Sequence, residues 1–267
     1  MQGKEREPAM RIILSPAKKM SEDADSLPWR DLPRFLPDAE RLAARLRAMS
    51  LLELKRLWGC NDLIADLNFR RVQTMDLRRN LTPALLAYEG IQYRCMAPRV
   101  FERGELDYAE EHLRILSGFY GLLRPFDGVT PYRLEMQARL KGEGFESLYE
   151  FWGDRLARQL SEETRVVINL ASREYSRCVV PLLPEDVRVV TCVFGEFMDG
   201  RLVEKGTLCK MARGEMVRFL AGRQAESPEE MREFDRLGYR FAGESSDKTQ
   251  YRFIKGDRDE STADLWD

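Results

Sequence analysis

Histidine is nearly absent from this chain of 267 residues, and His112 is the only one. A single imidazole excludes a metal site built on several histidines, and it leaves no spare histidine for a hydrolase triad. The five cysteines form no CxxC pair, as expected of reduced thiols in a cytosol. The phosphate-binding patterns GxxxxGK(S/T) and GxGxxG are also missing, so nothing supports nucleotide hydrolysis by the usual route.

Long apolar runs are missing as well. The longest, such as 166–168, cover a few residues, whereas a membrane-spanning helix needs about 20. Residues 1–9 contain no apolar signal core, so we expect a cytoplasmic protein that makes no membrane contact. With 43% hydrophobic and 33% charged residues, the composition is that of a globular protein rather than a disordered chain.

The order of the predicted elements favours one domain over two. An apolar run over 11–14 predicts a short buried strand, and a helical pattern covers 38–123. Further strands are predicted over 165–170, 187–194, 201–208 and 250–255, and further helices over 210–222 and 228–237. We therefore predict a single compact α/β (α+β) domain over 10–255, with a mixed sheet surrounded by helices. Residues 1–9 would be an N-terminal extension, and 256–267 an acidic C-terminal tail.

Charge is distributed unevenly although the formal net charge is only −2. Residues 41–80 contain nine Lys or Arg against four Asp or Glu, and residues 201–223 contain six against two. Residues 226–267 reverse the balance, with twelve acidic residues against seven basic ones. An acidic tail can therefore hide basic surface from the whole-chain sum, although such runs are also typical of solvated helix faces.

Polar side chains follow two of the predicted strands. Lys18 comes directly after the first strand, and Asn169, Ser172, Glu174 and Tyr175 lie at the end of the strand over 165–170. The carboxyl ends of strands are where open α/β sheets bind ligands, so these residues are candidates for a site. The alternatives are a loop lysine without a function and a serine that only caps a short helix.

A proline-bounded loop supplies a second group of candidates, namely Arg124, Asp127, Tyr132, Arg133 and Glu135. Two prolines and a glycine make the loop rigid, and a rigid loop can aim polar groups at a ligand. Structural ion pairing explains the same residues without a ligand.

Lys210 and Arg213 lie near the start of the helix predicted over 210–222. Cations at a helix N-terminus oppose the helix dipole, so their presence indicates an anion that offsets the cost. We expect Lys18, Arg133, Lys210 and Arg213 to converge, with Glu135 as the carboxylate between them.

Residues 50–67 have the pattern of a helix, a tight turn and a second helix. Gly59 ends the first helix and Asn61 caps the second, with Cys60 between them. The N-terminus of the second helix can offer backbone N–H groups to a phosphate without recognising sequence. Four cations flank the turn: Lys55, Arg56, Arg70 and Arg71. The alternative is a plain helical hairpin packed on the core.

Several strings of the sequence together resemble the YaaA family of bacterial peroxide-stress proteins. They are ILSPAKKM (13–20), LRILSGFYGLLRPFD (113–127), PYRLEM (131–136), YEFWGD (149–154), VVINLASREY (166–175) and KMARGEMVRF (210–219). The resemblance spans roughly 10–255 and implies a cytoplasmic bacterial protein that limits iron and peroxide damage to DNA. It also implies a compact α/β body with a positively charged cleft and a helix-hairpin-helix element. It further implies binding to DNA, either duplex or repair intermediates, without clear sequence preference. It implies no cofactor and no established reaction.

By position, the resemblance assigns the helix-hairpin-helix element to 57–65 and the cleft to Lys18, Arg124, Arg133, Lys210 and Arg213. The family pattern has a glycine on both sides of one apolar residue, whereas this chain has Gly59-Cys60-Asn61. Asn tolerates left-handed backbone better than most residues, so the turn can still form.

Two classes of function fit these residues. The first is a DNA-binding peroxide-stress protein without catalysis. The second is an enzyme that acts on a small anionic substrate, since acids, bases and anion-binding cations occur together and DNA phosphates have little use for the acids. Its candidate residues are Lys18, Tyr132, Arg133, Glu135, Asn169, Ser172, Tyr175, Lys210 and Arg213. A third possibility, iron binding by carboxylates, has no ligand spacing to support it, and we expect no metal site.

Overall fold

A mixed β-sheet runs through the middle of the protein. The computed structural model describes residues 9–23, 27–198 and 201–256. The described strands are β1 (Arg11–Leu14), β2 (Lys19–Met20), β3 (Thr82–Pro83), β4 (Tyr88–Glu89), β5 (Leu113–Ser117), β6 (Gly121–Leu123), β7 (Gly128–Val129), β8 (Val166–Asn169), β9 (Arg188–Met198), β10 (Arg201–Val203), β11 (Tyr239–Phe241) and β12 (Gln250–Lys255).

The strand order of this sheet is β11-β12-β9-β8-β1-β5-β6, and β10 pairs with β9. Strand β1 lies between β5 and β8 and is parallel to both, with Ile12 opposite Leu113 and Ile168. Its apolar residues are buried, as expected for a parallel strand covered on both faces. Because β1 and β8 are parallel neighbours, the loops that follow them leave the same edge of the sheet.

Helices cover the sheet. They are α1 (Leu36–Arg47), α2 (Leu51–Trp58), α3 (Asp62–Thr74), α4 (Ala84–Ala87), α5 (Ile91–Met96), α6 (Arg103–His112), α7 (Leu148–Trp152), α8 (Arg155–Glu163), α9 (Arg173–Ser176) and α10 (Gly206–Arg223). Their apolar faces and the sheet form one continuous hydrophobic core, so the protein is a single compact α/β domain. Among the described residues, no helix combines the length and apolarity that a membrane crossing requires.

Glycine allows the closest helix contact in the structure. A Cβ atom added to Gly214 of α10 would lie 2.0 Å from the backbone oxygen of Gln92 in α5. No side chain fits in that space, so α10 and α5 are in backbone contact at this point. This contact fixes the position of Lys210 and Arg213, which are on the same helix.

The predictions for the strands β1, β8 and β12 are confirmed, whereas three other predictions are wrong. Residues 113–123 form β5 and β6 rather than the end of a helix, because the chain reverses at Gly121, whose φ is +78°. The strand predicted over 201–208 ends at Val203, and α10 begins at Gly206 rather than at 210.

The third wrong prediction is the helix over 228–237, which is two short 3₁₀ helices, Pro228–Glu233 and Arg236–Gly238. The turn predicted around 199–200 lies outside the described residues, as do most of the N-terminal extension and nearly all of the acidic tail.

Candidate functional site

The loops after β1 and β8 are tied together at the carboxyl edge of the sheet. The backbone N–H of Ser172 donates to Ser15 Oγ at 2.8 Å, and the two serine hydroxyl oxygens are 3.2 Å apart. The carbonyl oxygen of Ser15 accepts hydrogen bonds from Gln92 Nε2 at 2.9 Å and from Tyr93 Oη at 3.1 Å. Helix α5 therefore holds this edge of the sheet in place.

A cavity of about 320 Å³ opens above these loops. We call it the Glu135 cavity. It is lined by Ser15, Pro16, Ala17, Lys18, Lys19, Glu89, Gly90, Ile91, Gln92, Glu135, Ser172, Glu174, Tyr175, Lys210 and Arg213. Of the four cations expected to converge, the structure brings three into this lining, and Arg133 lies behind Glu135.

Glu135 connects two of these cations. Its Oε1 lies 3.3 Å from both Lys18 Nζ and Arg133 Nη2, and its side chain is 11% exposed. Neither contact is aligned as a hydrogen bond, so Oε1 has no hydrogen-bond partner within the described part of the chain. Arg133 Nη2 also reaches the carbonyl oxygen of Trp58 at 3.5 Å, which links this carboxylate to the end of α2.

Glu174 is a second carboxylate in the same cavity. Its Oε1 accepts a hydrogen bond from the backbone N–H of Gln137 at 3.2 Å. Burial, followed by the neighbouring charge of Glu135, raises its pKa above the usual value, although the Gln137 hydrogen bond opposes the shift. Glu135 and Glu174 therefore differ in environment, one ion-paired and one partly desolvated, while Glu89, the third carboxylate of the lining, pairs with Lys19.

A groove of about 770 Å³ continues from the cavity toward α2. We call it the hairpin groove. It shares Lys18 and Glu135 with the cavity, so the two form one cleft. Its remaining lining residues are Met49, Glu53, Arg56, Leu57, Trp58, Gly59, Gln137, Ala138 and Arg139.

Helices α2 and α3 are joined by the tight turn that the sequence predicts. Gly59 ends α2 with φ +54°, and Asn61 Oδ1 accepts the backbone N–H of Ile64 at 3.0 Å as the N-cap of α3. Lys55 Nζ pairs with Asp62 Oδ1 at 2.5 Å. A carboxylate thus occupies the first residue of α3, where a phosphate would have to approach.

The four cations flanking this turn differ in their contacts. Arg71 Nη2 donates to the carbonyl oxygen of Met20 at 3.2 Å, so Arg71 supports the fold, as does the paired Lys55. Arg56 lines the hairpin groove and Arg70 is exposed on α3. Cys60 is half-buried at the turn.

Besides Arg133, four candidates from the strand ends and the proline-bounded loop lie outside the cleft lining. Tyr132 is buried, and its Oη is 2.8 Å from Tyr88 Oη and 2.6 Å from Ser117 Oγ. Asn169 donates from Nδ2 to Thr191 Oγ1 at 3.2 Å and accepts the backbone N–H of Ala171 at 3.0 Å, so both ends of its amide are used structurally.

Arg124 and Asp127 are the other two. They line a different cavity, where Arg124 pairs with Asp127 and Asp31 at 3.3 and 2.9 Å. Strand β6 is antiparallel to β5 and carries the chain back across the sheet, which takes Arg124 away from the carboxyl edge. The assignment of Arg124 to the cleft is therefore wrong.

The dipole argument for Lys210 and Arg213 also needs correction. Because α10 begins at Gly206, Lys210 is in its second turn and Arg213 in its third. The helix dipole acts mainly on the first turn, so it does not explain these cations. Their lack of partners is what indicates an anion. Neither has an ion pair or a hydrogen bond in the described part of the chain, and Arg213 Nε is buried.

Gln92 and Arg139 are among the cleft residues that the sequence did not single out. Gln92 is buried in a short helix whose other buried residues are apolar, and an isolated polar residue of that kind was the available signal. Arg139 gave no signal, because an exposed arginine in a loop resembles many others.

The cleft as a whole is lined by more cations than carboxylates. The cations are Lys18, Lys19, Arg56, Arg139, Lys210 and Arg213, and the carboxylates are Glu53, Glu89, Glu135 and Glu174. Within the described ranges, no three His, Cys, Asp or Glu side chains are grouped so as to hold a metal ion. The chemistry of the cleft is therefore that of cations and acids on a rigid sheet edge.

The fold and the cleft define an α/β protein with a cation-lined cleft at the carboxyl edge of its sheet. The model of a family described as peroxide stress protein YaaA matches residues 10–245. A UPF0246 protein of Desulfitobacterium hafniense is 52% identical over 246 residues, which covers 92% of this chain and 98% of that protein. UPF0246 proteins of Lachnoclostridium phytofermentans and Pediococcus pentosaceus are 50% and 47% identical over 248 residues, with 93% of this chain and 97% and 99% of theirs covered. The chain belongs to the YaaA family, and the family's description supports a role in stress.

Proposed function

We propose that this protein serves the peroxide stress response by binding DNA in its cleft without sequence preference. The phosphate backbone would lie along the hairpin groove, where cations contact it without recognising bases. The description of the family supports the stress role. The carboxylate of Asp62 at the start of α3 leads us to assign the phosphate contacts to cleft cations rather than to the helix N-terminus.

One observation carries this proposal. Arg56, Arg139, Lys210 and Arg213 line one continuous cleft, and no ion pair or hydrogen bond engages any of them within the described residues. Most other arginines are paired with carboxylates or backbone carbonyls. Unpaired cations that repel one another are retained where an anion binds, and a polyanion such as DNA supplies several anionic groups at once.

The salt dependence of duplex binding tests the proposal. We expect the affinity for a short labelled duplex, measured by fluorescence anisotropy, to fall by orders of magnitude between about 50 and 200 mM salt, with little dependence on sequence. The double variant Arg56→Glu, Arg139→Glu should bind more weakly and with a shallower salt slope. A flat salt response in the wild type would contradict the proposal.

Arg103→Glu is the matched control, because Arg103 is 96% exposed on α6 and lines neither part of the cleft. This variant reverses one charge, as the single variant Arg56→Glu does, so the two are matched in net charge. The affinity of Arg103→Glu for the duplex should stay near that of the wild type. An equal loss in Arg103→Glu and Arg56→Glu would mean that overall charge, and not the cleft, governs binding.

A second candidate function is an enzyme that acts on a small anionic substrate in the Glu135 cavity. The carboxylates Glu135 and Glu174 favour it, because a raised pKa at one of two neighbouring acids is typical of general acid–base pairs. In that case the double variant Lys210→Ala, Arg213→Ala would bind duplex DNA as the wild type does, yet lose protection against peroxide in cells. Loss of duplex affinity in this variant would favour DNA binding instead.

A further inference from the structure

The Glu135 cavity contains groups that a duplex backbone does not use. Glu135 is 9% exposed and lines the cavity; its Oε1 lies 3.3 Å from Lys18 Nζ and Arg133 Nη2, whereas no hydrogen bond engages its Oε2 among the described residues. Carboxylate oxygens in buried sites are nearly always hydrogen-bonded, so the unused oxygen of this cavity-lining carboxylate indicates a ligand with a donor. The phosphodiester of a DNA backbone has no such donor, and a carboxylate repels it.

Nucleobases supply that donor. The exocyclic amino groups of adenine and cytosine and the N–H groups of guanine donate to carboxylates, and Glu pairing with cytosine N4 is a known mode of base recognition. Glu135 and Glu174 are therefore suited to the edge of a base. Lys210 and Arg213, which line the same cavity, are suited to a phosphate.

The size and walls of the cavity fit a single nucleotide unit. Its volume of about 320 Å³ is at the small end of the range of roughly 300–1,000 Å³ seen in ligand pockets. Tyr175 and the apolar residues Pro16 and Ile91 form part of its lining. Proteins that bind an extruded base stack it between aromatic or apolar side chains and hydrogen-bond its pairing edge.

We infer that the Glu135 cavity holds one nucleotide turned out of a DNA strand that lies in the hairpin groove. The base faces Glu135 and Glu174, and its phosphate faces Lys210 and Arg213. The groove leads into the cavity through Lys18 and Glu135, which line both, so a strand in the groove passes the cavity mouth. This inference rests on the proposed function, and it selects DNA with an unpaired or weakly paired nucleotide.

The experiment uses the full chain and two duplexes that contain the fluorescent base 2-aminopurine. In one duplex the 2-aminopurine pairs with thymine, and in the other it faces an abasic site. Its fluorescence rises when it leaves the base stack. We expect a fluorescence rise with the unpaired duplex and an affinity roughly tenfold higher than for the paired one, since extrusion of an unpaired base avoids much of the unpairing cost.

Two cavity variants connect this signal to the cavity. Ser172→Leu fills space in the Glu135 cavity, and Glu174→Gln replaces a carboxylate by an amide of the same shape. Both should abolish the preference for the unpaired duplex while affinity for the paired duplex persists, because neither residue lines the hairpin groove. Ser161→Leu, the same substitution in α8 outside both cavities, is the control and should behave as the wild type.

The outcomes separate this inference from the proposed function. Binding of the paired duplex without preference for the unpaired one and without a fluorescence rise overturns the inference and leaves DNA binding in place. Absence of binding to either duplex overturns both. Competition by free 2′-deoxynucleoside monophosphates at similar affinity shows a free nucleotide as the occupant, which also overturns extrusion. If the cavity variants keep the full preference for the unpaired duplex, the extruded base binds outside the Glu135 cavity, which overturns the inference.

Discussion

The two ends of the central sheet gather the same residue types but use them differently. At the amino end, Arg11 and Arg114 converge on Glu163, at 3.1 and 2.6 Å from its Oε2. Gln159 donates to the other oxygen, and Nη1 of Arg114 donates to the backbone carbonyl oxygens of Glu110 and Leu113. At the carboxyl end, Lys210 and Arg213 have no such partners among the described residues. Charge composition alone therefore does not mark a site, whereas unused hydrogen-bonding capacity does.

The largest effect on stability is expected from displacing α10, which carries Lys210 and Arg213 at the carboxyl end of the sheet. Gly214→Ala places a methyl group 2.0 Å from the Gln92 carbonyl oxygen, which forces α10 away from α5. Overpacking of backbone against backbone should lower the free energy of unfolding by about 3 kcal/mol or more, measured by urea denaturation. Gly206→Ala, in the same helix with nothing within 4 Å of its added Cβ, should be nearly neutral. Similar losses in both would refute the close-contact argument.

Breaking the ion-pair network at the amino end of the sheet should lower the free energy of unfolding nearly as much. Glu163→Ala leaves Arg11 and Arg114 without their shared carboxylate, and the Arg114 side chain is only 7% exposed. We expect a loss of about 3 kcal/mol in unfolding free energy, because removal of one partner strands a buried charge.

The neighbouring residue provides the control for that variant. Glu162→Ala removes a carboxylate that is 63% exposed and pairs with Arg34 at 3.6 Å. Its loss should cost less than about 0.5 kcal/mol, as exposed ion pairs do. Equal effects at 162 and 163 would show that the amino-end network contributes no more than a surface pair.

A smaller and pH-dependent effect is expected at Asp127, also at the amino end. Burial raises the pKa of its carboxyl group to about 7, although hydrogen bonds from Arg124 oppose the shift. The unfolded state loses this proton near pH 3.9, so stability falls as pH rises from about 4 to about 7. Asp127→Asn removes this pH dependence. The unfolding free energy of the variant relative to the wild type should therefore rise by about 2 kcal/mol from pH 5 to pH 8. A difference that stays constant with pH in urea denaturation would contradict the assignment.

The contrast between the two ends also explains what sequence could predict. Strands β1, β8 and β12 are short apolar or alternating runs next to turn residues, and such patterns identify strands directly. The helix predicted over 113–123 is wrong because Leu113, Leu116, Tyr120 and Leu123 match a helical period by coincidence, although they lie in two fully buried strands and the turn between them. That error hid the chain reversal, and with it the transfer of Arg124 to the amino end.

The candidate site was predictable in part for a related reason. Lys18 and Ser172 follow parallel strands, so topology alone places them together. Whether a cation is paired depends on neighbours distant in sequence, as Arg71 with Met20 shows, and no local pattern reveals it. The role of the cleft residues stays a prediction until ligand binding is measured.

The smallest effect on stability is expected at a residue that we propose contacts DNA. Lys210 is exposed and has no ion pair within the described residues, so Lys210→Ala removes no contact and relieves repulsion from Arg213. We expect the free energy of unfolding to change by less than about 0.5 kcal/mol, and toward greater stability. Duplex affinity should fall in the same protein, and its salt slope should become shallower by roughly one unit if Lys210 contacts one phosphate. Lys248→Ala, an exposed lysine beyond the cleft, should change neither quantity. A marked loss of stability in Lys210→Ala would mean that Lys210 makes stabilising contacts at the carboxyl end, as the arginines do at the amino end.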